Sequence, residues 1–272
     1  MSAADVIALD APPPQHRIAY GEHPLQFGHL RLPEGAGPYP VVVFVHGGCW
    51  LSQYGIDFFG AVEEGLREAG YAVWSLEYRR VGDEGGGWPN TFLDVARGAD
   101  HLRELAARFP LDLSRIVVSG HSAGGHLALW LAARGRITSG PLRAHSPLPM
   151  RAVLALAPAP DLEGLHSAGV CGEVVDRLMG GGPDEVAERY AVASPMQLVP
   201  LDVAQLLIIG SHDTSWAPSG RAYAEAARAA GADRLEVIEA PESGHFEMIA
   251  PPSSTWPLVL DALERAFSSP QR

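Results

Sequence analysis

One stretch constrains this chain more than any other: SRIVVSGHSAGGHLALWLA, residues 114–132. An apolar run at 116–118 meets Gly120-His121-Ser122-Ala123-Gly124, and an apolar helical pattern follows without a spacer. A strand that turns straight into a helix at G-x-S-x-G forces Ser122 into a strained turn with its Oγ exposed. The positions two before and two after it must then be small, so that strand and helix can pass close to each other. Such an elbow needs a covered, largely parallel sheet to stand on, and the rest of the chain has to supply one.

It does so by alternation. Short β-rich runs at 26–32, 41–45, 72–78, 115–118, 151–156, 206–209 and 235–238 are separated by helical patterns at 57–69, 91–109, 123–133, 218–230 and 256–267. The run VVVFV at 41–45 is continuously apolar, as expected of a strand with helices on both faces. In 91–109 the residues Phe92, Val95, Ala96, Ala99, Leu102 and Leu105 recur at spacings of three and four, and Thr91 with Asp94 has the spacing of a capping box. The expected fold class is therefore α/β: a mostly parallel central sheet flanked by helices, forming one domain over residues 1–272. The segment at about 159–200 is longer than a connection requires and reads as a lid or cap insertion. The glycine-rich loop at 82–89 lacks the G-x-G-x-x-G spacing of a dinucleotide site.

With Ser122 as nucleophile, an acid and then a histidine are expected after later strands. LLIIGSHDTSW supplies Asp213, and APESGHFEM supplies His245, 32 residues further on. Neutral His245 would take the Ser122 proton while Asp213 holds the ring tautomer and stabilises the imidazolium. Asp202 and Asp161 are alternative acids, placed less well against the strands. His121 and His212 adjoin catalytic positions but diverge from them; His126 reads as a packed helix residue, and His46 as orienting the loop after the strand at 41–45. That loop, His46-Gly47-Gly48-Cys49-Trp50, offers backbone N–H groups to a developing oxyanion. Aromatic residues near these motifs, Trp50, Tyr54, Trp88, Trp216 and Phe246, together with His121, form the expected substrate-facing set. Leu165, His166, Val175, Leu178 and Met179 of the insertion are expected to roof it.

GHSAGGH together with HGGCW, GSHD and SGHF resembles the α/β-hydrolase superfamily. Within it the chain is similar to the small esterase group that includes hormone-sensitive-lipase-like carboxylesterases and kynurenine formamidase. The resemblance runs from about Pro40 to the last helix. It implies the α/β-hydrolase fold, Ser122, Asp213 and His245 as the triad, and an oxyanion hole from the N–H groups of Gly48, Cys49 and Ala123. It implies hydrolysis of small carboxylic esters through an acyl-enzyme, with an arylformamidase or amidase as the alternative, and it implies no cofactor. A non-catalytic small-molecule-binding member of the fold is the reading from another class.

Composition narrows the remaining classes. The 20 basic residues are all arginine, which removes lysine Schiff-base and P-loop chemistry. A formal charge of -12 disfavours nucleic acid and anionic membranes as partners, leaving a small ester or amide substrate and an open question of homo-oligomers. No metal-ligand spacing such as H-E-x-x-H or C-x-x-C occurs. The first fifteen residues carry no signal-peptide pattern, and Cys49 and Cys171 form no disulfide framework and no metal-ligand pair, which suits a reducing compartment, so a cytoplasmic location is expected.

Overall fold

The computed structural model describes residues 1–270. In chain order the elements are α1 (Ala3–Ile7), β1 (His16–Ala19), β2 (Phe27–Arg31), β3 (Tyr39–Val45), α2 (Gly60–Glu68), β4 (Ala72–Leu76), α3 (Asn90–Asp100), α4 (Leu102–Leu105), β5 (Leu111–His121), α5 (Ala123–Ala133), β6 (Ala152–Leu156), α6 (Leu162–Ala168), α7 (Val174–Met179), α8 (Ala187–Ala193), β7 (Ala204–Gly210), α9 (Ala217–Ala229), β8 (Leu235–Ala240) and α10 (Trp256–Ser268). The strands form one sheet in the order β1-β2-β4-β3-β5-β6-β7-β8. Strand β2 pairs antiparallel with both β1 and β4, and every later pairing is parallel. The expected α/β class is what the chain adopts.

Alternation along each central strand sends neighbouring residues to opposite layers. Val41, Val43 and Val45 of β3 join one apolar cluster, whereas Val42 and Phe44 join the other. On β5, Ile116 and Val118 face the first layer and Val117 the second. The first layer is filled by α3, α4 and α5, and the second by α2 and α10, whose Val62, Leu66, Val259 and Leu263 close over the sheet.

Helix α5 has no wet face. Leu127, Ala128, Leu129, Trp130 and Leu131 are all buried, and a helix that is apolar all round needs cover on both sides. The sheet provides one side. The insertion provides the other: His126 Nε2 donates to Ala193 O at 2.9 Å and Trp130 Nε1 to Val192 O at 2.9 Å. Leu162, Leu165, Val174, Val175, Leu178, Met179 and Tyr190 belong to the same core cluster as α5. The segment expected as a lid is thus a structural layer over the elbow helix.

Two local expectations are corrected. Thr91 and Asp94 make no capping box, because α3 begins at Asn90 with Pro89 as its cap. Thr91 Oγ1 instead accepts from Gly87 N–H and donates to Arg79 O, while Asp94 receives the Arg79 guanidinium at 2.7 Å and Gln26 Nε2 at 2.7 Å. Both residues stitch the loop after β4. The two cysteines are paired: Cys49 and Cys171 form a disulfide, with Cα atoms 6.0 Å apart, joining the loop after β3 to the turn between α6 and α7. Disulfides persist in oxidising surroundings, so the ground for expecting a reducing compartment is removed. Among the described residues no helix is long and apolar enough to cross a membrane.

Candidate active site

Ser122 sits between β5 and α5 at φ 57°, ψ -120°, a conformation that side chains rarely adopt and that sharp functional turns hold under constraint. Two features maintain it. The Ser122 N–H donates to Leu156 O on the neighbouring strand at 2.9 Å, and the elbow glycines allow backbone to touch backbone. A Cβ on Gly124 would stand 2.0 Å from Val45 O, and one on Gly120 would stand 2.3 Å from Gly124 O. The small residues read from the motif are therefore a steric necessity of the crossing.

Asp213 and His245 reach the same rim from the ends of β7 and β8. His245 Nδ1 lies 2.7 Å from Asp213 Oδ2, and Asp213 Oδ1 accepts from Trp216 N–H at 3.0 Å. Burial alone would raise the Asp213 carboxyl. The His245 hydrogen bond and charge, with the Trp216 and Ser215 N–H groups, outweigh it and hold the carboxyl below its ordinary value. A carboxylate on Nδ1 places the ring proton there and leaves Nε2 with its lone pair, the form a general base requires. The ring is clamped between Trp216, stacked at 5.0 Å, and Phe246, edge-on at 4.9 Å. Ser122, Asp213 and His245 all line one cavity of about 380 Å³. Ser122 Oγ donates to no protein acceptor among the described residues.

Across the cavity, Gly48, Cys49 and Trp50 run through left-handed backbone at φ 108°, 50° and 54°. Gly48 and Cys49 line the cavity, and their N–H groups have no protein acceptor among the described residues. Ala123 is fully buried and does not line the cavity, so what it can offer is its backbone N–H at the first position of α5, which no helical carbonyl can reach.

A buried polar cluster that sequence reasoning left unassigned holds this loop from beneath. Glu77, just past β4, meets His46 Nε2 at 3.0 Å and accepts from the N–H groups of Ile56 at 3.1 Å and Tyr78 at 2.9 Å. Arg80 is paired with Glu77 and donates to Tyr54 O. Tyr78 Oη donates to His46 O, and its ring stacks on His46 at 4.5 Å. Burial works to raise the Glu77 carboxyl, yet His46 and Arg80 together bring it below its ordinary value. The string LEYRR carried this information, but only the paired sheet register shows that Glu77 lies under His46.

The expected substrate-facing residues divide. Tyr54, His121, Trp216 and Phe246 line the cavity; Trp50 and Trp88 do not. Trp50 is fully buried, edge-on to His126, because its left-handed backbone turns the side chain into the core. Trp88 packs on Phe92 under the Arg189 guanidinium, and its N–H donates to Leu178 O at 2.7 Å. His121 is also more than lining. Its Nε2 donates to His245 O at 2.8 Å, and burial followed by the His245 charge pushes its pKa well down, so it stays neutral and tethers the His245 loop to β5. None of the insertion residues expected as a roof lines the cavity. Among the described residues no group of three or more His, Cys, Asp or Glu is placed to hold a metal.

Sheet order, elbow and loop placement define an α/β-hydrolase. The BD-FAE family profile matches residues 30–220, and the chain belongs to that family. It is 29% identical over 246 residues to esterase LipC of Mycobacterium tuberculosis, an alignment covering 86% of this chain and 60% of LipC. It is 33% identical over 113 residues to a probable isoprenylcysteine alpha-carbonyl methylesterase of Arabidopsis thaliana, 41% of this chain and 23% of that protein. The chain thus spans 60% of the length of LipC and less than a quarter of that methylesterase. In fold it is similar to esterase B from Lactobacillus rhamnosis, with a TM-score of 0.80 at 22% identity, covering 98% of this chain and 90% of that one. The thermophilic esterase Est2 of Thermogutta terrifontis is similar at a TM-score of 0.72 and 21% identity, covering 96% and 95%.

Proposed function

We propose that this protein is a serine hydrolase that cleaves small carboxylic esters through an acyl-enzyme. His245 Nε2 takes the Ser122 proton as Oγ attacks the ester carbonyl. The N–H groups of Gly48, Cys49 and Ala123 receive the oxyanion. Collapse of the tetrahedral adduct breaks the C–O bond to the alcohol, which leaves with the proton from His245. Water, deprotonated by the same imidazole, then attacks the acyl-Ser122 carbonyl and releases the acid.

The observation that carries this reading is the 2.7 Å contact of His245 Nδ1 with a buried Asp213, at the rim of the cavity that holds Ser122 on its elbow. Relatives named as esterases favour an ester over a formamide or amide substrate. Purified protein is expected to turn over p-nitrophenyl acetate or butyrate. Ser122→Ala is expected to lose activity by about 10⁴-fold or more, the scale seen when a triad nucleophile is removed. Turnover unchanged in that variant would rule the reading out.

A further inference from the structure

The cavity over Ser122 is lined in part by a segment that carries no catalytic motif. Ala3, Val6 and Ile7 of α1 line it together with Ser122 and His245. Five residues make a marginal helix in water, so something else must hold α1 in place. Its start is fixed by a capping box, in which Ser2 N–H donates to Asp5 Oδ2 at 2.6 Å and Asp5 N–H to Ser2 Oγ at 3.3 Å. Its underside is fixed by Val6, which is buried in the same cluster as Phe59, Met248 and Ile249.

The strap that follows is pinned as well. Arg31, only 2% exposed, donates to Pro12 O at 2.8 Å and Pro13 O at 3.4 Å, while Glu63 and Glu64 hold its other guanidinium edges. A buried cation spent on two carbonyls of an outer strap serves to lay that strap, and α1 with it, across the site.

The mouth beneath α1 is unusually apolar for a surface. Of the four large hydrophobic residues exposed among the described residues, Ile7 and Phe58 line this cavity and Met1 adjoins α1; the fourth, Leu93, lies on α3. Scattered exposed apolar residues need no explanation, but a cluster around a concave site marks what binds there.

We propose that α1 is the specificity-determining roof of the site. Val6 and Ile7 with Phe58 and Ile249 would receive the apolar arm of the ester, so that esters bearing a four- to eight-carbon or aromatic arm are preferred over acetates of small alcohols. The proposal rests on the hydrolase reading above.

The test is kcat/KM of the full chain on two series. One is p-nitrophenyl esters from acetate to octanoate; the other is acetates of aliphatic alcohols from methyl to octyl. Two variants are compared with the wild type: Ile7→Asp, at an exposed position where folding is undisturbed, and Val6→Phe, which fills the roof. Each added methylene in an apolar site is worth about a few-fold in binding, so Ile7→Asp is expected to lower the long-to-short ratio about tenfold in at least one series. Val6→Phe is expected to move the best chain length downward. Thermal melting and labelling by a small fluorophosphonate verify that each variant is folded and reactive. Ratios within twofold of wild type in both series, in variants that melt and label normally, would overturn the roof while leaving the hydrolase reading intact. Absence of any ester turnover in folded, untreated wild type would overturn the hydrolase reading itself.

Discussion

Two segments compete for the role of cover in this molecule, and they differ in the way opposite to their size. The insertion between β6 and β7 holds three helices, yet its apolar residues go into the core against α5, and Cys171 anchors it to the loop after β3. The segment before β1 holds one short helix, yet its Val6 and Ile7 line the cavity over Ser122. What decides the outcome is which surface is left without a partner. Helix α5 is apolar all round and draws the larger segment to itself. The cavity needs only a few apolar atoms above it, and a pinned strap suffices.

This contrast makes the insertion a stability element and α1 a selectivity element, and each can be probed separately. The largest effect is expected from Cys171→Ser. It opens a cross-link between residues 122 apart in sequence, and loop entropy alone sets a loss of about 5 kcal/mol, read as a lower midpoint in urea. Because Cys49 carries one of the cavity-facing N–H groups, kcat is expected to fall with KM little changed. Next, Leu178→Ala, at a fully buried insertion position, should cost about 3.5 kcal/mol by the same measurement.

Acid provides a third probe. His126 is buried with Nε2 on Ala193 O and Nδ1 without a partner, and burial pushes its pKa down from 6.5 to about 4. Between these values the unfolded chain binds the proton and the folded chain does not. Stability is therefore complete above pH 6.5 and falls as the pH drops toward 4, by about 3 kcal/mol. His126→Gln should flatten that slope in a denaturation series against pH. Smallest of all, Ile7→Ala should change stability by less than about 0.5 kcal/mol while still altering chain-length preference. A large stability loss there, or a negligible one at Leu178, would break the comparison between the two covers.

Much of the site could be read from the sequence because its chemistry imposes order. A serine on a strand-to-helix elbow leaves few places for the acid and the base, and Asp213 and His245 do meet. The strand runs were equally legible, since VVVFV can be buried only between two layers. What escaped depends on tertiary proximity. The Cys49–Cys171 pairing joins residues 122 apart in sequence, and no local pattern announces it. Glu77 beneath His46 follows from parallel pairing of β3 and β4. Helix α1 is too short and too close to the prolines at 12–14 to show periodicity. Trp50 turns away from the cavity that Gly48 and Cys49 line, because its left-handed backbone redirects the side chain into the core, and no local pattern signals that turn.

In the proposed mechanism Ser122 is made nucleophilic by His245 and Asp213. Treating the folded protein with a fluorophosphonate and mapping the adduct by mass spectrometry tests it most directly. One phosphonyl group on Ser122 is expected, absent in Ser122→Ala and formed at least about 10³-fold more slowly in His245→Ala. An unlabelled Ser122 in folded wild type, or labelling at the same rate without His245, would contradict it.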